Sequence, residues 1–82
     1  MPTLLRWKGY RFFFYSADVW EPPHIHVRQA EKEAKIWLAD FSIAANYGYQ
    51  QSELNELLNV VRMHGGEFLR AWNDHFGSRN QR

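Results

Sequence analysis

Two histidines one residue apart, His24 and His26, are the side chains in this sequence best suited to chemistry. The run His24-Ile25-His26-Val27-Arg28 alternates polar and apolar, the mark of a half-buried strand. Residues two apart on a strand share a face, their bases roughly 6–7 Å from one another. Three chemistries fit that spacing. An imidazole, with an ordinary pKa of about 6.5, can give or take a proton at neutral pH, so the pair can serve as general acid and general base on one phosphodiester. Arg28, on the same face, would then stabilise a pentavalent phosphate. In that metal-independent endoribonuclease reading, His24, His26 and Arg28 are the catalytic residues. The pair can instead bind a metal, but a stable site needs a third protein ligand. Glu21, Glu33, His64 and His75 are candidates at no diagnostic spacing, so no metal or cofactor is assigned. In the third reading the histidines only hydrogen-bond the loop that Pro22-Pro23 closes.

The elements that position the pair follow from the pattern around it. Thr3–Trp7 reads as a first strand and Lys8-Gly9 as a tight turn, with Tyr10–Ser16 as a second, aromatic strand. Ala17–Glu21 reads as a loop, and Pro22-Pro23 forbids helix and feeds an extended segment. His24–Arg28 and Ala34–Leu38 complete four strands. Ile25 and Val27 then face one way, and His24, His26 and Arg28 the other. Lys35 and Trp37 join the histidines there; if the register of the second strand also puts Arg11, Phe13 and Tyr15 on that side, the outer face is basic and aromatic together. Such a face suits single-stranded RNA, aromatics stacking on bases and cations meeting phosphates. It equally suits a homodimer interface.

After Leu38 the period changes. Asp40 is placed to cap a short helix, Phe41 to Asn46, that Gly48 ends. Ser52 opens a longer one, because Leu54, Leu57, Leu58, Val61, Gly65, Phe68, Leu69, Trp72 and Phe76 fall on one face. The stripe stays in phase through Gly65-Gly66, which predicts one helix, kinked at the glycines. The expected fold is thus α+β: a mostly antiparallel four-stranded sheet, one face covered by a long C-terminal helix that a short helix precedes. One domain over 1–77 and a disordered tail over 78–82 complete the expectation.

Asp40 to Leu57 also fits the helix-turn-helix template of a transcriptional regulator, whose second helix would present Gln50, Gln51, Ser52 and Asn55 to base edges. Charge opposes it. Residues 40–63 hold Asp40, Glu53 and Glu56 against Arg62 alone, whereas DNA binding uses several cations.

Composition sets the outer bounds. Eighty-two residues allow one domain, and six Phe, four Tyr and four Trp supply enough apolar area for a core. With no cysteine there is no disulfide, thiolate site or thiol nucleophile. The start, Met1 to Lys8, lacks a signal-peptide core, and no apolar run is long enough for a membrane span, so a cytoplasmic location is expected. A net charge of +1 neither demands nor excludes nucleic acid.

Several blocks together resemble one family. Gly9–Ser16, Glu21-Pro22-Pro23-His24-Ile25-His26-Val27, Ala34–Leu38, Asn46-Tyr47-Gly48 and Ala71-Trp72-Asn73 are similar to the bacterial domain-of-unknown-function family four-one-six-zero. That resemblance implies a small stand-alone bacterial protein encoded beside another small protein, an arrangement similar to toxin–antitoxin modules. It therefore implies a partner protein and gives prominence to His24 and His26. The expected function is binding of that partner, or of RNA, within the two-protein module.

Overall fold

The computed structural model describes residues 3–80, with side chains through Gly77. The tail expected over 78–82 falls on residues that lie outside that full description. Five antiparallel strands form a meander in the order β1-β2-β3-β4-β5: β1 Thr3–Trp7, β2 Tyr10–Phe13, β3 His24–Gln29, β4 Lys32–Trp37 and β5 Ile43–Tyr47. Two helices follow, α1 Gln51–Met63 and α2 Gly65–Asn80. Among the described residues no helix is long and apolar enough to cross a membrane.

The hairpin turns follow from local chemistry. Lys8 and Gly9 both take positive φ, +50° and +82°, the conformation whose twist matches two flanking antiparallel strands. Gly48, at φ +103°, ends β5, and a Cβ there would stand 2.9 Å from the Lys32 side chain. The Asn46 side chain clamps this turn, donating to the Tyr49 carbonyl at 3.0 Å and accepting from its N–H at 3.1 Å.

Alternation along β2, β3 and β4 produces two unlike faces. Tyr10, Phe12, Ile25, Val27, Ala34 and Ile36 lie in the core, against Leu54, Leu57, Val61, Phe68, Trp72 and Phe76 of the helices. The register sets Arg11 opposite Arg28, Phe13 opposite His26, His26 opposite Lys35, and His24 opposite Trp37. These residues form the other face, away from the core stripe of α1 and α2, where Trp72 of α2 still reaches His24 and the segment after β2 packs over the histidines.

Three expectations are corrected here. The sheet has five strands, because the segment read as a helix over Phe41–Asn46 is β5, paired to the outer edge of β4. Asp40 caps no helix: its carboxylate accepts from the Ser42 N–H at 3.0 Å and the Ser42 hydroxyl at 2.6 Å, a side-chain turn that feeds an extended chain. That strand removes the first helix of the helix-turn-helix template, so the regulator reading loses its scaffold. Finally, the single long helix is two. The i→i−4 bonds run up to His64 N–H to Val60 and resume with Phe68 N–H to His64, while His64 itself leaves helical geometry at φ −107°, ψ +11°. Gly65, just past the break, lets the ring of Phe41 pack against the helix backbone. A Cβ there would press to 3.0 Å on the ring of Phe41, which sits at a positive φ of +59°.

Two outcomes test this packing. Trp72 is 1% exposed and meets Phe14, His24 and Phe76 with ring centroids 5.2, 5.0 and 4.4 Å away. Trp72→Ala should cost about 3–5 kcal/mol in denaturant unfolding, and an unchanged midpoint would refute the placement. Tyr49 is buried, its hydroxyl donating to the Val27 and Lys32 carbonyls at 3.2 and 3.3 Å. Burial first, then the charges of Tyr10 and Glu53, push its pKa up to about 12. The unfolded chain ionises this phenol near its ordinary value of about 10, so the stability it lends is complete below that pH and drains away towards 12. Melting temperatures measured across that window should fall, and should fall less steeply for Tyr49→Phe.

Candidate functional site

The segment after β2 builds the site. Where a loop was expected at Ala17–Glu21, Ser16–Trp20 forms a short 3-10 helix. Asp18 closes its first turn: the Asp18 N–H donates to the Tyr15 carbonyl at 3.0 Å, and the Tyr15 N–H donates back to Asp18 Oδ2 at 2.9 Å. This reciprocal pair fixes the carboxylate in place and turns it towards β3. Pro22 and Pro23 then carry the chain into the strand, where the Pro23 carbonyl accepts from Leu38 N–H at 3.1 Å.

The two histidines converge on that one carboxylate. His24 Nε2 stands 3.0 Å from Asp18 Oδ2, and His26 Nε2 stands 3.1 Å from the same oxygen. On its other side His24 Nδ1 lies 2.9 Å from the Pro22 carbonyl, and His26 Nδ1 lies 3.3 Å from Glu33 Oε2. Glu33 is itself held by the Tyr15 hydroxyl, which is 3.2 Å from each carboxylate oxygen. The walls are aromatic. Phe13 stacks on His26 with centroids 5.5 Å apart, Tyr15 meets its edge at 4.6 Å, and Trp37 and Trp72 flank His24 at 5.5 and 5.0 Å.

Burial within these walls sets the protonation. His24 has no exposed surface, and the side chains of His26 and Asp18 retain 9% and 11% exposure. Loss of hydration lowers the His26 pKa below its ordinary value, the Asp18 carboxylate opposing the shift without reversing it. Tyr15 moves up, through burial first and then the Glu33 charge. Although carboxylates approach closely, His24 Nε2 and His26 Nδ1 make no hydrogen bond of acceptable geometry. A neutral ring has one N–H and one lone pair. In the neutral form each histidine therefore presents one bare nitrogen to a carboxylate oxygen.

The residues singled out from sequence are distributed as follows. His24 and His26 share one cluster, whereas Arg28 lies one pair further along the strand. It is half exposed, donates to the Ala30 carbonyl at 3.3 Å and approaches Glu33 at 3.8 Å. Of the four third-ligand candidates, Glu33 backs His26, and Glu21 lies 3.8 Å from the Nδ1 of His24 while binding Lys35. His64 pairs with Glu67 at 2.6 Å, and His75 packs on Phe14 and Phe76. The residue that joins both histidines is Asp18, which sequence reasoning passed over. Its only sequence signal is the spacing Asp-x5-His-x-His, and the fold of Ser16–Trp20 gives that spacing meaning.

Arg11, Tyr15, Lys35 and Trp37 do share the outer face, each with a partner in the chain. The Arg11 guanidinium lies 4.4 Å over the Phe13 ring and donates to Thr3 Oγ1 at 2.8 Å. Lys35 binds Glu21 and lies 4.7 Å over Trp37. The described residues enclose no cavity.

Fold and site together define a class: a five-stranded antiparallel meander under two helices, carrying a buried carboxylate between two histidines of one strand. The chain belongs to the family described as domain of unknown function (DUF4160), whose model matches residues 9–73, a span that includes every residue of the cluster. No curated protein and no solved structure matches it.

Because Asp18 accepts from the Tyr15 N–H while facing both imidazoles, its loss should propagate. Asp18→Ala should cost about 1–3 kcal/mol, the usual penalty for stranding buried polar groups, read from urea unfolding. A variant as stable as the parent would show that the cluster contributes nothing to holding the 3-10 helix on β3.

Proposed function

We propose that this chain is the binding component of a two-protein, toxin–antitoxin-like bacterial module, and that its ligand is a small partner protein. The observation that carries this reading is Trp20. Its side chain is 82% exposed, on the same 3-10 helix that Asp18 anchors to the histidines. Trp and Tyr dominate the energetics of protein interfaces, because they bury large area at little entropic cost. Tyr47, at 68% exposure on the edge strand β5, is a second residue of that type. The family resemblance supports the same reading through its implied neighbour.

RNA is the weaker ligand on this geometry. Cations that neutralise phosphates must be free to do so. Lys35 and Arg28 are turned towards Glu21 and Glu33, and Arg11 lies on Phe13. The acid–base reading of His24, His26 and Arg28 has less support still. His24 is fully buried, Arg28 sits beside Glu33 rather than beside the pair, and a substrate would need access to both imidazoles.

Co-expression with the product of the adjacent gene, followed by light scattering and calorimetry, tests the proposal. A one-to-one complex is expected, and Trp20→Ala should weaken it at least tenfold without lowering the melting temperature of the free chain. The reading is overturned if no complex forms, if Trp20→Ala binds as tightly as the parent, or if the outer face is instead closed by a homodimer of this chain. Cleavage of single-stranded RNA that survives a chelator and is lost in His26→Ala would also overturn it, in favour of the nuclease.

A further inference from the structure

We propose that Asp18, His24 and His26 are the three protein ligands of a divalent transition-metal site, with zinc the ion that best matches the donor set. The argument is a count of protons and lone pairs around two rings. A backbone carbonyl can only accept, so the His24 nitrogen 2.9 Å from Pro22 O, Nδ1, carries that ring's proton. In a neutral ring Nε2 is then a lone pair on a side chain with no exposed surface, 3.0 Å from an Asp18 carboxylate oxygen and without a hydrogen-bond partner. Such a lone pair and a carboxylate repel unless a proton or a metal cation lies between them, and only a metal cation can serve both rings at once.

His26 repeats the problem and points to the same solution. Its Nε2 hydrogen-bonds Asp18 Oδ2 at 3.1 Å while its Nδ1, without a partner, faces Glu33, so a neutral ring has one proton for two carboxylates. A cation held by Asp18 Oδ2, His24 Nε2 and His26 Nε2 removes both conflicts at once. The proton of His26 moves to Nδ1, facing Glu33 Oε2 at 3.3 Å, and that of His24 stays on the Pro22 carbonyl. Each ligating imidazole would then give its second N–H to a carboxylate or a carbonyl, the arrangement that orients metal-bound histidines. Glu33 is fixed for this part by Tyr15.

Spacing and charge agree. The three donor atoms lie within 4.8 Å of one another, and the two distances to Asp18 Oδ2 are 3.0 and 3.1 Å. Ligands about 2.0–2.1 Å from a tetrahedral zinc stand roughly 3.3 Å apart, so a few tenths of an ångström of outward movement suffices. A charge of +2 balances the carboxylates of Asp18 and Glu33. Three protein ligands leave one position for water or a partner's side chain, on the side where Asp18 and His26 keep their small exposure. This inference is independent of the partner reading.

The test uses the whole chain, stripped with a chelator and titrated with zinc by calorimetry and with cobalt(II) by visible absorption. One ion per chain is expected, with a rise in melting temperature and the cobalt spectrum of a four-coordinate nitrogen–oxygen site. Asp18→Asn, which keeps the side chain's shape, should weaken zinc binding at least tenfold, and Glu33→Gln by about 10–100-fold. His64→Ala, outside the cluster, should leave it unchanged. Long-range proton–nitrogen NMR on the parent chain, which needs no variant to fold, should show zinc shifting both Nε2 resonances, with Nδ1 of His24 staying protonated and Nδ1 of His26 becoming so. The proposal is overturned if the parent binds no stoichiometric metal, or if Asp18→Asn binds as tightly as the parent. It is also overturned if the metal-free chain has all four ring nitrogens protonated and zinc leaves them unmoved.

Discussion

Everything in this molecule turns on the two-sidedness of β3. The strand is hydrogen-bonded on both edges, to β2 and to β4, so its pleat cannot shift by one residue without exchanging its faces. In the register it adopts, Ile25 and Val27 enter the core with no exposed surface. The same register puts His24 and His26 on the opposite side, where a helix-free sheet would ordinarily meet water. They are nevertheless buried, because the 3-10 helix of Ser16–Trp20 and four aromatic rings close over them. The core and the polar cluster are thus two consequences of one strand placement.

Closing polar groups away from water has a physical cost that the cluster only partly offsets. The Tyr15 N–H, the Pro22 carbonyl and the Tyr15 hydroxyl satisfy Asp18, His24 and Glu33 in turn. Two ring nitrogens remain without hydrogen bonds in surroundings of low dielectric, where such gaps are most expensive. A chain of this size has little stability to spare. Such a buried polar cluster beside Trp37 and Trp72 is what the proposed metal would relieve.

The helical layer holds a close steric fit beside its break. Phe41 ends the β4–β5 connection in a backbone conformation that an aromatic residue rarely adopts. Its ring takes the space above Gly65 that any side chain would need. The helix breaks beside it, at His64, yet Leu57, Val61, Phe68 and Trp72 keep one buried stripe across the break. Trp20 on the 3-10 helix and Tyr47 on the edge strand β5 stay exposed, as do Met63 and Leu69 on the helices.

How much of this was written in the chain depends on the range of the forces involved. Alternation in His24–Arg28, the stripe from Leu54 to Phe76, the Lys8-Gly9 turn and the blocks that mark the family are local patterns, and periodicity or turn chemistry reads them directly. That His24, His26, Lys35 and Trp37 share one face also follows from the pleat, whereas Arg11 joins them through the register of β2 on β3. Three features lie beyond such patterns. Residues 43–47 have no strong preference, and became a strand because β4 offered an unpaired edge. The helix breaks at His64, beside a Gly65 against which the ring of Phe41, far away in sequence, packs. Asp18 joined the histidines because a 3-10 turn, closed by its own carboxylate on Tyr15, folded back over β3. Sequence by itself determined which side chains share the strand face; tertiary packing decided which of them lost their water, and with it the chemistry open to them.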